Sequence, residues 1–368
     1  MNRRMIINAV GLVLRVEAVL LLLPAIVCIL YGEKQTLIAF LISAAISLLL
    51  GLLPKLFLKP KTHVIYAKEG FIIVAFTWIM LSLVGAVPLV LAGAVTSYAD
   101  AFFEIVSGFT TTGSSVIPDV EVLSHGALFW RSFTHWVGGM GIIVFVMAIL
   151  PNVSERPIHI LRAEIPGPTV GKLVPRIKDT ALILSLIYIG MTVIETIMLL
   201  FGGMSYFESL LHAFGTAGTG GFGIKRDSIA GYSPYIQWVI TAFMILFGIN
   251  FNLYYLMLLK KFKAVVTSTE LWAYLGIIAS SIAVISWNIR HLFVGAEETV
   301  RAAAFQVSSI ISTTGYATTD FNLWPNLSKN ILLILMFIGG CAGSTAGGIK
   351  VSRIVLLFKL ISNEVKRM

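Results

Sequence analysis

Three short triplets hold the residues best suited to chemistry: Thr111-Thr112-Gly113, Thr216-Ala217-Gly218 and Thr313-Thr314-Gly315, roughly one hundred residues apart. Ser114, Thr219 and Tyr316 extend them. Threonine offers a hydroxyl and every residue offers a carbonyl. Glycine takes up the positive φ that turns consecutive carbonyls to one side. A row of such carbonyls replaces the water around a dehydrated cation, as the Thr-Val-Gly-Tyr-Gly loop of potassium channels does. Here Thr313-Thr314-Gly315-Tyr316-Ala317 comes close to that loop. The expected ligands are the carbonyls of Thr111, Thr112, Thr216, Ala217, Thr313 and Thr314. One such triplet would be an ordinary turn. Three in matching surroundings form an internal repeat.

Each triplet closes a short apolar piece: Ser97 to Phe109, Ser205 to Phe214 and Glu298 to Ile311. As helices these are about 15–20 Å long, too short to cross hydrocarbon and too apolar for ordinary loops. They read as re-entrant half-helices, allowed at membrane depth where the irregular backbone beyond them lines a cavity. The negative C-terminal end of a helix favours a cation by a few tenths to about 2 kcal/mol. Upstream, Ala101-Phe102-Phe103-Glu104, Tyr206-Phe207-Glu208-Ser209 and Ala304-Phe305-Gln306 match in kind. Asp100, Asp119, Glu121, Asp227 and Asp320 fall on the outer side, as cation-gathering or merely solvated charges.

The rest of the chain reads as the scaffold of a polytopic membrane protein. It has 368 residues, 57% hydrophobic and 12% charged, with a mean hydropathy of +0.91. So few charges cannot coat a soluble body of this size. Apolar runs of spanning length cover Leu37 to Phe57, Phe71 to Gly93, Ala181 to Phe201, Ile236 to Leu259 and Leu271 to Ile289. The first helix, about 8–31, holds Arg15 and Glu17 and lacks a small-x-small site, so it reads as a retained helix rather than a leader. The net charge of +9 does not point to nucleic acid, because 19 of the 27 basic residues lie in five stretches, 3–4, 55–68, 156–178, 260–263 and 350–367. That distribution places these stretches, and the N-terminus, on the cytoplasmic side. The expected organisation is two N-terminal helices over 1–68, then three pore repeats over 69–178, 179–268 and 269–368.

One segment breaks the apolar pattern. Five of the ten residues 339–348 are glycine, a density that unwinds a helix. Gly339, Gly340, Gly343, Ser344, Thr345, Gly347, Gly348 and Lys350 are candidates for an intramembrane gate. Close helix packing by small residues is the alternative. Among the other residues, Gly138-Gly139-x-Gly141 after His135 and Trp136 predicts tight helix contact. Glu195 stands inside a span, where an ionisable group is functional or paired. Asn250 and Asn252 are placed for interhelical hydrogen bonds. Cys28 and Cys341 read as buried thiols. The six histidines show no metal-ligand spacing, and no nucleophile–base or nucleotide-binding pattern appears, so the chain does not read as an enzyme or as needing a cofactor.

With these motifs in view, the chain resembles the Trk/Ktr/HKT superfamily of potassium transporters, closest to its bacterial TrkH type, which is similar in having two extra helices before the first repeat. The resemblance rests on residues 107–114, 215–223, 312–321 and 339–350 and covers essentially the whole chain. It implies filter glycines at Gly113, Gly218 and Gly315, with preference for K⁺ and Rb⁺ over Na⁺. It implies a gate at 339–350 and potassium uptake across the cytoplasmic membrane. It also implies a homodimer and a cytosolic nucleotide-binding regulatory subunit on the basic face. Such proteins have four repeats and this chain shows three, so a fragment of a longer product is expected. A Na⁺-selective or Na⁺-coupled permease and a non-conducting paralogue are the alternatives.

Overall fold

In hydrocarbon a chain satisfies its own amides most simply as helix, and the long apolar runs comply. The computed structural model describes residues 3–57, 67–141 and 177–367. Every regular element among them is helical. Among the described residues, five stretches are long and apolar enough to cross a bilayer: Arg3–Tyr31, Lys34–Phe57, Lys68–Leu91, Ala181–Phe201 and Thr269–Ile289. The fold is that of an all-helical membrane protein. Most of the basic stretches 55–68 and 156–178 lies outside the described residues. The chain divides into two units, Met1–Ser185 and Leu186–Met368.

The first unit opens with α1 (Arg3–Leu20) and α2 (Leu22–Tyr31), followed by α3 (Lys34–Phe57), α4 (Ala67–Leu91), the short α5 (Tyr98–Phe109) and α6 (His125–Met140). Helices α1 and α3 touch through Gly11 and Gly51, where a Cβ on Gly51 would press on the Gly11 carbonyl and on Arg15. Glu17 faces this contact fully buried and accepts the Ser47 hydroxyl at 2.9 Å. The polar interruption of the first apolar run is therefore turned into the protein. The buried Trp130 of α6 donates to the Gly85 carbonyl of α4 at 2.9 Å.

Helix α7 (Ile177–Phe201) leads into the second unit. There follow α8 (Tyr206–Ala217), α9 (Pro234–Phe247), α10 (Phe251–Leu258), α11 (Phe262–Val266), α12 (Thr269–Ile289), α13 (Ala296–Ile311), α14 (Asn326–Ile338) and α15 (Val351–Arg367). One expectation is corrected here. The apolar run from Ile236 to Leu259 is not one continuous helix but two, α9 and α10, bent by 90°. Gly248 ends α9, and the Asn250 side chain caps α10 by accepting the Asn252 amide at 2.9 Å. Asn250 thus starts a helix rather than bridging two. The polar groups freed at the bend find partners in the glycine-rich segment, described below.

Candidate ion-conducting site

The three half-helices are set by their first turns. Ser97 caps α5 by accepting the Ala99 amide at 3.2 Å. Ser205 caps α8 in a reciprocal box with Glu208, which satisfies two otherwise unpaired amides. Helix α13 has no side-chain cap but has Glu297 and Glu298 in its first turn, where the helix dipole favours them. The helices are 12, 12 and 16 residues long.

At their C-terminal ends the backbone repeats one conformation. In the first loop Thr111 and Gly113 are left-handed, with φ of 54° and 76°. In the third, Thr313 and Gly315 match them at 59° and 87°. The residue between donates back to the helix, Thr112 to the Ser107 carbonyl and Thr314 to the Ser309 carbonyl, both at 2.9 Å. Ser114 and Tyr316 follow directly in the chain.

The second loop has the same geometry three residues beyond the expected triplet. Its left-handed pair is Thr219 and Gly221, at 52° and 76°, and Gly220 donates to the Gly215 carbonyl at 2.9 Å. Gly218 is the right-handed C-cap of α8, with φ of −73°. Thr216 and Ala217 still belong to the helix, and the Thr216 carbonyl already accepts the Thr219 amide at 3.0 Å. The counterpart of Gly113 and Gly315 is therefore Gly221, not Gly218. The same slip moves the polar residue inside the half-helix. In the register of the helix ends, His212, not Glu208, answers Glu104 and Gln306.

Those three residues make different contacts. Glu104 forms a buried ion pair with Arg131 of α6 at 2.6 Å and accepts the Ser115 hydroxyl at 2.9 Å and the Val116 amide at 3.1 Å. Gln306 donates to the Thr319 carbonyl at 3.0 Å. His212 presents Nδ1 to the Glu208 carbonyl at 2.8 Å and packs edge-on against Tyr232. Gly138 of α6 permits a close approach of the kind the sequence predicted: a Cβ there would strike the Phe109 carbonyl. His135 Nδ1 also lies 2.9 Å from the Gly108 carbonyl.

Within the second unit, loops two and three lie side by side. A Cβ on Gly221 would collide with the Thr314 carbonyl. The buried Tyr316 hydroxyl donates to the His212 and Phe222 carbonyls at 3.3 Å, and the Ile229 amide donates to the Ala317 carbonyl at 3.0 Å. Open space surrounds the Cβ position of Gly315. Glu195 on α7 is fully buried beside Thr216. The outer acids Asp119 and Asp320 accept backbone amides of their own turns, from Glu121 at 3.1 Å and Asn322 at 2.9 Å.

The glycine-rich segment runs from the end of α14 to the start of α15. Its left-handed residues are Gly339, Gly343, Gly348 and Lys350. Close approach requires Gly339, where a Cβ would meet the Gly347 carbonyl. The segment fills the bend between α9 and α10. Cys341 donates its amide to the Gly248 carbonyl at 2.9 Å, the Gly343 carbonyl accepts the Phe251 amide at 3.0 Å, and the Thr345 hydroxyl reaches the Phe247 carbonyl at 3.2 Å. It also touches both loops. The Thr219 hydroxyl donates to the Thr345 carbonyl at 3.0 Å, and the Gly347 amide donates to the Thr313 hydroxyl at 2.8 Å. Inside the segment, Ser344 donates to the Cys341 carbonyl at 2.7 Å and the buried Lys350 ammonium to the Ala346 carbonyl at 2.5 Å. The Gly340 carbonyl accepts the Val351 amide at 2.9 Å. The sequence reading missed Gly221, His212, the Gly248 bend and Glu270, whose carboxylate accepts the Ala342 amide at 2.6 Å. Asn250 directly before an apolar run was the available signal for the bend, as a helix cap.

Known proteins share this arrangement. The family model for the TrkH cation transport proteins matches residues 36–276 and 264–368. The Trk system potassium uptake protein TrkH of Salmonella typhimurium is 36% identical, covering all of this chain and 77% of its own length. TrkG of Escherichia coli, a second Trk system potassium uptake protein, is 32% identical over 99% of this chain and 76% of its own. The crystal structure of the potassium transporter TrkH from Vibrio parahaemolyticus superimposes with a TM-score of 0.88 at 33% identity, over all of this chain and 76% of that one. A broken span, half-helices ending in left-handed Thr-x-Gly turns and whole-chain similarity agree, and the chain belongs to the TrkH family of cation transport proteins.

Proposed function

We propose that this chain carries K⁺ through a pore lined by its Thr-x-Gly loops, as part of a Trk-type uptake system in the cytoplasmic membrane. The observation that carries this reading is the repeated left-handed pair at the end of each half-helix, with loops two and three in contact. The carbonyls of Thr111, Thr112, Thr219, Gly220, Thr313 and Thr314 are the ligands in this register. Carbonyls alternating around left-handed residues replace the hydration shell of K⁺, and the half-helix ends add a negative potential. The segment 339–350 is the gate, because it fastens to Thr219 and Thr313 directly beside those carbonyls. Lys350 places a buried positive charge in it, which opposes cation passage while the segment stays in place. The chain works as a homodimer with its N-terminus in the cytoplasm, and its basic cytoplasmic face receives a nucleotide-binding regulatory subunit.

The test is rubidium uptake into liposomes containing the full-length protein, with Na⁺ as competitor. Uptake blocked by K⁺ and indifferent to Na⁺ is expected. Deleting 341–347 should raise resting uptake. Equal competition by Na⁺ would overturn the filter assignment, and a folded deletant with unaltered uptake would overturn the gate.

A further inference from the structure

One anchor of the glycine-rich segment comes from α12, outside the bend, the loops and the helix that leads into the segment. Glu270 stands in the first turn of α12, half-buried, and its Oε1 accepts the Ala342 amide at 2.6 Å. Its position is firmly set. Ser268 caps α12, and the Trp272 indole donates to the Val266 carbonyl at 2.6 Å, which ties the preceding basic turn to the same helix end. Ala342 follows Cys341, a fully buried residue of the second unit's apolar core. The bonds from Lys350 to Ala346 and Cys341 are internal to the segment and move with it. The bonds to Thr219 and Thr313 are neutral hydroxyl contacts. The Glu270 bond is charge-assisted, a class about twice as strong as neutral ones, and it comes from a separate helix.

We propose that Glu270 is the latch of this segment: a positioning residue whose carboxylate holds the Ala342 amide and keeps the segment seated across the pore. The proposal rests on the gate reading for its functional meaning, but the latch itself is measurable without transport. While the segment is seated Cys341 is shielded, and release exposes its thiol. In a Cys28→Ala background, Cys341 is the chain's only cysteine, so its rate of maleimide labelling reports the seating.

Glu270→Ala should label about tenfold faster than the parent, the effect of losing one hydrogen bond of this class. Glu270→Gln keeps an acceptor oxygen at the same reach and should stay within about threefold. Glu270→Asp keeps the charge but is one methylene short, and should label several-fold faster. Parental labelling rates in the Ala and Asp variants would overturn the latch. If the Ala variant does not fold, the Asp and Gln pair decides, since fast Gln with slow Asp overturns a latch made by this bond. A carboxylate serving only the α12 dipole would lower Tm in the Ala variant and leave labelling unchanged, which also overturns it. Faster labelling with unaltered rubidium uptake leaves the latch standing and removes the gate reading. Unaltered labelling with raised uptake does the reverse.

Discussion

The first and third loops share one backbone conformation and are held by opposite means. Behind the first, a buried Glu104–Arg131 pair at 2.6 Å gathers Ser115 and Val116 around one charge. Behind the third, Gln306, Ser309 and Tyr316 make neutral hydrogen bonds to Thr319, to the Tyr316 carbonyl and to the second loop. A buried pair costs several kcal/mol to desolvate and is costly to break, whereas each neutral bond contributes about 1 kcal/mol. The first loop is therefore gathered around one buried charge, whereas the third is held by several neutral bonds. The same backbone geometry can be fixed either way, because Thr111 and Gly113 match Thr313 and Gly315 in φ whatever holds them from behind.

Breaking the charged anchor should have the largest effect. Arg131→Met leaves Glu104 buried and unpaired, at about 3–5 kcal/mol, seen as a large fall in Tm. Adding Glu104→Gln should recover part of that loss, and a double variant no better than the single would show that the pair is not the anchor. Next comes the register of the second loop. Gly221→Ala forces a side chain into left-handed backbone against the Thr314 carbonyl, a strain of about 1–3 kcal/mol, and should weaken K⁺ over Na⁺ discrimination. Gly218→Ala, at right-handed φ, should leave selectivity unchanged; the reverse result would restore the register with Gly218 as the filter glycine.

Smaller still is Tyr316→Phe, which removes two long hydrogen bonds among several. A loss of about 1 kcal/mol or less is expected, with modest change in rubidium competition. A collapse like that of Arg131→Met would erase the contrast between the loops. The smallest effect concerns a carboxylate outside the spans. Burial alone drives the Glu33 carboxyl up, but the amides of Gly126 and His125 and the His125 ring outweigh it and hold it below the usual range. A carboxylate lowered in this way stabilises the fold above its unfolded pKa, and the contribution is lost as pH falls through the folded value. Glu33→Gln should lower Tm by a few degrees at pH 7. Melting curves of the two proteins should converge only below the ordinary carboxylate pKa of about 4.

Much of the site was legible because it is written locally. Ser97 and Ser205 mark helix starts, the apolar pieces that follow are too short to span, and glycine density foretold that 339–348 is not helix. The second loop was misplaced because Gly215, Gly218, Gly220, Gly221 and Gly223 all lie within nine residues. Any of them tolerates positive φ, so local chemistry does not choose. The choice is made by the Gly215 carbonyl, which takes the Gly220 amide, and by the Thr314 carbonyl, which leaves no room for a Cβ at Gly221.

By itself the sequence determined the class of molecule: a chain of spans and half-helices, repeated, with glycines where carbonyls must turn. Hydrophobicity over twenty residues and glycine's freedom at φ are properties of the residues alone. The tertiary structure decided the rest: which glycine becomes the left-handed one, where the run from Ile236 to Leu259 breaks, and that Glu270 meets Ala342. These depend on polar groups far apart in the chain, Cys341 on Gly248 and Thr345 on Thr219, finding each other in the folded protein. In that setting an unpaired amide or carbonyl costs more than a bent helix, so partners brought together by folding override local preference.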